Sequence, residues 1–154
     1  MSRKDRYKGN RDKCEAGAFV RLPLAVLKSR AYIEASAHAR MLLLDLAMQY
    51  RGNNNGDLSA AWSFMKARGW RSKETLTTAK RQLMDLQLIV ETRMGARPNK
   101  ASLYALTWLA LDEDPKLEIT ARQFPRGAYK LRDPLPMPSI KIEGLRTPAG
   151  PSPP

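Results

Sequence analysis

The sequence is poor in the residues that build disulfides, metal sites and catalytic triads. It has one cysteine, Cys14, and one histidine, His38, among 154 residues. A disulfide needs two cysteines, a structural zinc site usually takes four cysteine or histidine ligands, and a Ser-His-Asp triad would have to use the single histidine. These scarcities exclude a disulfide scaffold and a zinc-stabilised fold, and we expect no metal and no cofactor.

Long apolar runs are also missing. The longest, 41–44 and 104–111, fall well short of the roughly 20 residues that a helix needs to cross a bilayer. Residues 1–15 are charged throughout and contain no apolar segment of the kind that directs secretion. We therefore predict a cytoplasmic protein without a membrane span.

Catalytic motifs are absent as well. The sequence contains no phosphate-binding glycine loop, dinucleotide fingerprint, zinc-protease motif or nucleophile elbow. Its acidic cluster, at 112–114, directly follows the last predicted strand, and we interpret it as a domain boundary rather than a metal site. His38 falls in the first turn of a predicted helix, where a surface or capping role explains it. We predict that the protein is not an enzyme and has no catalytic residues.

Positive charge is in clear excess. The chain has 27 lysines and arginines against 15 aspartates and glutamates, a formal net charge of +12 at pH 7. The surplus is +5 in residues 1–35, +5 in residues 36–112 and +2 in residues 113–154. Such an excess attracts polyanions, and nucleic acid is the first partner that it indicates.

Composition divides the chain into three parts. Residues 1–17 are polar and basic with almost nothing to bury, which predicts a flexible arm. Nine of the eleven prolines follow Asp114, so residues 113–154 are predicted to form an extended, proline-rich C-terminal segment. Residues 18–112 carry the periodic apolar patterns of one folded domain.

Helical periodicity dominates the first part of that domain. Residues 22–32 are predicted to form an opening helix, with Pro23 tolerated in its first turn. A second helix is predicted over about 37–50, with Ser36 as its N-cap. Its buried stripe, at the spacing of one helical face, is Ala39, Leu42, Leu43, Leu46 and Tyr50.

Turn residues then interrupt the helices. The run RGNNNG at 51–56 tolerates positive φ and predicts a turn, after which 57–58 forms one short strand. Ser59 is positioned to cap a short helix over about 60–68, which Gly69 ends. The residues predicted to share one face of that helix are Ala61, Phe64 and Met65.

A longer helix and a hairpin complete the domain. Ser72 caps a predicted helix over 73–86, and strand-like runs at 88–94 and 101–108 flank a loop at 95–100. The resulting fold class is mainly α with a small antiparallel β-hairpin, an α+β class. The apolar stripe of the 73–86 helix is Leu76, Ala79, Leu83 and Leu86, and we interpret Trp62, Trp70 and Trp108 as packing residues.

This order of elements occupies about 36–108, with the stretch SAAWSFMKARGWRSKETLTTAKRQLMDLQLIVETRMGARPNKASLYALTW, and resembles the winged helix-turn-helix family. It is similar to the small winged-helix proteins carried by bacterial mobile elements such as prophages and plasmids. The resemblance implies a winged fold, to which the composition adds a flexible arm and a proline-rich tail, and it implies a role in transcriptional regulation or replication control. It also implies double-stranded DNA as the partner.

The 73–86 helix has the chemistry that major-groove binding needs, because its polar face carries short hydrogen-bonding and basic side chains. Arg81 is the candidate for a guanine contact, and Thr77 and Thr78 are candidates for phosphate or a thymine methyl. Ser72 and Lys73 at the helix N-terminus are predicted to bind phosphate, and Lys80 flanks the same face. Glu74 is interpreted as complementing the helix dipole.

The hairpin and the arm supply the remaining predicted contacts. Arg93, Arg97 and Lys100 surround the hairpin loop, where winged helices reach the minor groove or the adjacent backbone, and Arg97 is our candidate for the groove itself. The arm residues Arg3, Lys4 and Arg6 resemble those that wrap a duplex and add affinity without reading sequence. Six to eight such cations on phosphates predict a log–log salt slope of about −5 to −7.

The 37–50 helix is apolar on nearly all sides, because Met41, Leu44 and Met48 lie opposite its core stripe. An apolar surface of this kind is expected to be buried by another element of the chain or by a second chain. The intramolecular candidates are the 22–32 helix and the 115–132 segment; the intermolecular one is the same surface of a second copy. We favour the homodimer, which suits a palindromic DNA site.

Regulation of transcription is the favoured function, with the nucleoid as the expected location. A replication-initiation or copy-control accessory would need the same contact surface, so the sequence does not separate the two. A third hypothesis, from another class, is a protein-interaction module in which the winged helix is a scaffold. In that case the proline-rich tail, with PLPMP at 134–138, would dock a protein partner.

Overall fold

The computed structural model describes residue 15 and residues 17–132. In this part of the chain no helix has the length and apolar character needed to cross a membrane. The described residues form an α+β unit, as predicted, with five α-helices, three strands and a C-terminal 3-10 helix. In chain order these are α1 (Leu24–Lys28), α2 (Arg30–Glu34), α3 (Ala37–Ala47), β1 (Leu58–Ser59), α4 (Trp62–Ala67), α5 (Lys73–Asp85), β2 (Ile89–Arg93), β3 (Leu103–Leu106) and the 3-10 helix Ala128–Arg132.

The predicted opening helix over 22–32 is wrong, because Ser29 divides it into α1 and α2. Ser29 has an extended backbone, with φ −66° and ψ 149°. Its buried hydroxyl donates to the Val26 carbonyl at 2.6 Å and accepts from the Tyr32 N–H at 3.2 Å. One side chain therefore ends α1 and begins α2, because a serine hydroxyl can bond to nearby backbone groups and so compete with the hydrogen bonds of a continuous helix.

Several predicted boundaries also move inward. The helix predicted over 37–50 ends at Ala47, so Tyr50 lies beyond it and is only half-buried. Ser59 does not cap the next helix, because it belongs to β1 and the N-cap position is taken by Ala61. The buried face of α4 is narrower than predicted, because the side chain of Met65 is fully buried whereas Phe64 is exposed.

The turn between α4 and α5 is held by backbone and side-chain bonds. Gly69 has φ +98°, and the following Trp70 N–H donates back to the Met65 carbonyl at 3.1 Å. The helix therefore ends at a left-handed glycine, as predicted. Trp70 is buried, and its indole N–H donates to the Asp45 carboxylate at 2.9 Å. The packing role predicted for Trp70 is confirmed.

The core lies between α3, α5 and one face of the sheet. The two helices pack through their buried leucines, because each carries an apolar stripe at helical spacing. The sheet has the order β1-β3-β2, all antiparallel, with Glu91 opposite Tyr104 in the hairpin. The two hairpin strands are shorter than predicted but pair as expected, whereas β1 lies one residue later than the predicted strand at 57–58 and adds to the sheet beside β3. The largest fully buried side chains include Leu42, Leu43, Leu46, Leu58, Leu83, Leu88, Ile89 and Leu106.

The chain after 112 continues the packed unit, at least to residue 132. Phe124 packs with Ala105 on the face of the sheet away from the helices, and Tyr129 is buried in the main core. The Glu118 N–H donates to the Thr92 carbonyl at 2.8 Å, so this segment also runs along β2. The predicted domain boundary at 112 therefore falls inside the folded body.

Gln87 ends α5 in a conformation that costs stability. It has φ +57°, and the next N–H, of Leu88, donates to the Leu83 carbonyl at 3.0 Å. Glycine adopts this left-handed position without the clash of a Cβ atom. We expect Gln87→Gly to raise the free energy of unfolding by about 0.5–1 kcal/mol in urea denaturation, and Gln87→Ala not to raise it. Equal stability of the two variants would contradict this reading of the turn.

Candidate nucleic-acid interface

The outer face of α5 is open to solvent. Its inner residues Leu76, Ala79 and Leu83 are buried, as their spacing predicts. Arg81, in the middle of the outer face, makes no hydrogen bond or ion pair with any described residue. The exposed side chains of this face are Lys73, Glu74, Thr77, Thr78, Arg81 and Asp85.

Two hydroxyls at the start of α5 are engaged within the helix. Ser72 is half-buried, and its Oγ accepts from the Thr75 N–H at 3.3 Å, which confirms the predicted N-cap. Thr77 is exposed, and its Oγ1 donates to the Lys73 carbonyl at 2.9 Å. Ser72 therefore fixes where the helix begins, while Thr78 keeps a hydroxyl that makes no such bond.

A cleft of about 260 Å³ separates α5 from the β2–β3 hairpin. The Lys73 ammonium lies over the Trp62 ring, 5.9 Å from its centroid, at one side of this cleft. Lys80 is half-buried, and this burial lowers the pKa of its ammonium, while the Glu91 carboxylate partly opposes that shift. The polar and aromatic side chains that line the cleft are Trp62, Lys73, Thr77, Lys80, Ser102 and Tyr104.

The hairpin loop, residues 94–102, is braced by its own arginine. Arg93 is half-buried, and its Nε and Nη2 donate to the Ala101 carbonyl at 3.2 and 2.7 Å. Ala96 and Lys100 exchange two backbone hydrogen bonds of 2.8 Å, which closes the tip around residues 97–99. Arg97 stands exposed at that tip without a partner among the described residues. Of the two, Arg97 is the arginine available to a ligand.

Glu118 is an acidic neighbour of the loop that the sequence analysis did not identify. Its carboxylate accepts from the Met94 N–H at 3.0 Å and pairs with the Lys100 ammonium at 3.0 Å. These two contacts, the Met94 N–H first, hold the pKa of the Glu118 carboxyl below its ordinary value. Lys100 is therefore already paired, although it is exposed.

Two exposed cations that were not predicted as contacts lie at the end of α4 and in the turn before α5. Arg71 and Lys66 are exposed and unpaired among the described residues, whereas Arg68 donates to Asp45 at 3.0 Å. Only their density in the run KARGWRSK marks them in the sequence. The predicted contacts Arg3, Lys4 and Arg6 lie outside the described residues.

The acidic cluster at 112–114 has a structural use. Asp112 accepts from the Asn55 N–H at 2.8 Å, Glu113 from the Ala121 N–H at 2.7 Å and Asp114 from the Lys116 N–H at 3.0 Å. Asp112 thus holds the turn that contains Asn55, while Glu113 and Asp114 hold two parts of the C-terminal segment. Among the described residues no group of three or more histidine, cysteine or acidic side chains is arranged to hold a metal ion.

Comparisons of this chain with protein-family models, with curated proteins and with solved structures give no significant match.

Proposed function

We propose that the protein binds double-stranded DNA through α5 and the hairpin loop, in the manner of a winged helix-turn-helix protein. The observation that carries this proposal is the open outer face of α5 beside a loop whose tip presents Arg97. No described part of the chain covers that face. A helix of this kind fits the major groove, and a β-hairpin at its side reaches the neighbouring backbone or minor groove.

In this arrangement the side chains divide into base-reading and phosphate-binding groups. Arg81 projects from the middle of the helix face, where a guanidinium can donate two bonds to a guanine edge. Thr78 lies on the same face and offers a hydroxyl and a methyl group. Arg97 at the loop tip contacts the minor groove or the backbone. Sequence preference is thus assigned chiefly to Arg81.

The cleft between α5 and the loop is suited to the phosphate backbone. Lys73 and Lys80 both line it, and Ser102 adds a hydroxyl from the hairpin side. The burial of Lys80 disfavours its charged form in the free protein, and a phosphate in the cleft would compensate that cost directly. The exposed Arg71 and Lys66 extend the basic surface toward the turn before α5. Together these residues anchor the duplex while α5 reads it.

The biological role that we propose is transcriptional regulation within a mobile genetic element. Replication initiation or copy control remains the alternative, because both roles use the same DNA surface. Footprinting on the element's own DNA separates them: protection at a promoter supports regulation, and protection at an origin supports replication.

Fluorescence anisotropy of a labelled duplex tests DNA binding itself. We expect the full chain to bind duplex with a log–log salt slope of about −5 to −7, and deletion of 134–154 to change the affinity by less than about threefold. A protein-interaction module predicts the opposite pattern. Duplex binding that is undetectable at low salt, or that is lost with the tail alone, would contradict the proposal.

Removing the Glu118 carboxylate should strengthen binding. Glu118→Gln frees Lys100 and removes a negative charge from the hairpin loop, so we expect about two- to fivefold tighter duplex binding at low salt. The salt slope should steepen by about one unit, because one more cation meets phosphate. Glu113→Gln, on the same segment but bonded to Ala121, is the control. Equal effects of the two variants would mean that only net charge matters.

A further inference from the structure

Helix α3 is apolar on two opposite sides. Its inner side, with Leu42, Leu43 and Leu46, is buried in the core. Its outer side exposes the residues Met41, Leu44 and Met48, which are 38%, 46% and 41% accessible to solvent. Neither the 22–32 region, which forms α1 and α2, nor the 115–132 segment covers this side, although both were candidates for that role. We call the line of Ala37, Met41, Leu44 and Met48 the outer stripe.

The spacing of the outer stripe is that of a helix-pairing seam. Its intervals are four, three and four residues, which is the a/d pattern of a heptad, and it contains no charged residue. The pattern is also symmetric about a point between Met41 and Leu44. An antiparallel copy related by a two-fold axis at that point places Met41 opposite Leu44 of the second copy. The same axis places Ala37 opposite Met48.

The apolar surface continues beyond the helix and reaches the size that a dimer core needs. Phe19 and Val20 are 64% and 47% exposed, and with Met48 they border a groove of about 710 Å³, whose lining also includes Arg21 and Arg51. Together with the outer stripe they expose roughly 450 Å² of apolar side chain, within the range at which a patch on a monomer is usually functional. A standard interface contributes about 800 Å² per partner, of which more than half is apolar.

We propose that the protein forms a homodimer in which the outer stripes of two copies pair antiparallel about a two-fold axis. A second copy fits this surface better than a charged partner because the stripe offers nothing for a charge to bind and is complementary to itself. The interface lies on the side of α3 that faces away from α5, so each copy keeps its outer α5 face open. Dimerisation is therefore separable from DNA binding by mutation.

Sedimentation equilibrium of the full chain between about 1 and 100 µM tests the dimer. We expect wild type to be dimeric and Leu44→Glu to raise the dimer dissociation constant at least about 100-fold, because it buries two unpaired carboxylates at the axis. Leu131→Glu is the matched control, since Leu131 is 73% exposed on the 3-10 helix, and it should leave the dimer intact. Circular dichroism verifies that both variants fold.

Cross-linking tests the antiparallel register without a destabilising charge. In a Cys14→Ser background, mixed Met41→Cys and Leu44→Cys chains should form more disulfide-linked dimer than Met41→Cys alone or Met94→Cys alone. A wild-type monomer at 100 µM, or a dimer that Leu44→Glu does not weaken, overturns the proposal. A monomer that dimerises only after removal of 134–154 assigns the stripe to that segment and also overturns it. Leu44→Glu should still bind a single-site duplex, so loss of the dimer is distinguishable from failure of the proposed DNA binding.

Discussion

Replacing Arg81 and Arg97 together with alanine is expected to weaken duplex binding by about 30- to 20,000-fold. Each arginine is exposed and unpaired among the described residues, one on α5 and one at the hairpin tip. Loss of a base-reading or groove-inserted arginine costs about 1–3 kcal/mol, and the two sites lie on separate elements, so their effects should nearly add. Anisotropy titration at fixed low salt measures the change.

The same double variant should fold normally, because neither side chain contributes a contact to the core. We expect the free energy of unfolding to stay within about 0.5 kcal/mol of wild type. Arg122→Ala with Arg126→Ala is the matched control: both residues are exposed and flank Phe124, on the face of the sheet away from α5. If the control pair weakened binding as much as Arg81 and Arg97, DNA binding would not be localised to the proposed surface.

Asn55→Ala should cause the largest loss of stability, about 3–5 kcal/mol. Asn55 is completely buried, and its Nδ2 donates to the carbonyls of Leu106 and Ala110 at 3.0 and 2.9 Å. Its Oδ1 accepts from the Leu106 N–H at 2.8 Å. Alanine leaves the buried Leu106 N–H without its partner, which costs about 1–3 kcal/mol. It also removes the bonds to the Ala110 carbonyl and to the Leu106 carbonyl, which keeps only the Leu109 N–H among the described residues, at about 0.5–1.5 kcal/mol each.

Urea denaturation followed by circular dichroism measures this loss. Asn53→Ala, an exposed position in the same turn, should change the free energy of unfolding by less than about 0.5 kcal/mol. A loss below about 1 kcal/mol for Asn55→Ala would mean that water replaces its bonds and that the loop does not depend on this side chain. The prediction is independent of the proposed function.

The inner and outer faces of α5 were predictable from the sequence because a strongly amphipathic helix fixes its own orientation. Leu76, Ala79 and Leu83 repeat at helical spacing, and Ser72 caps the first turn, so local chemistry and burial agree. The antiparallel hairpin was predictable for a similar reason: two β-rich runs flank a loop that contains glycine, proline and asparagine.

Features that depend on distant parts of the chain were not predictable. In the sequence, Asn55 is one of three equivalent turn asparagines. Only the position of β3 buries it and brings its side chain into hydrogen bonds with the Leu106 backbone. Glu118 lies in a segment whose prolines suggested a tail, and its pairing with Lys100 spans 18 residues. Ser29 is a local exception: its hydroxyl bonds to backbone groups three residues before and three residues after it, and these bonds divide the predicted helix. In each case a tertiary or side-chain bond decided the outcome against the local pattern.

Backbone amide spectra of the full chain, recorded by NMR during titration with a short duplex, test the central proposal most directly. We predict that the largest shift changes fall in residues 72–81 and 94–101, the exposed start of α5 and the hairpin loop. The amides of α3 along the outer stripe should change little. Changes concentrated on the outer stripe or on residues 134–154, with α5 unaffected at saturation, would contradict the account.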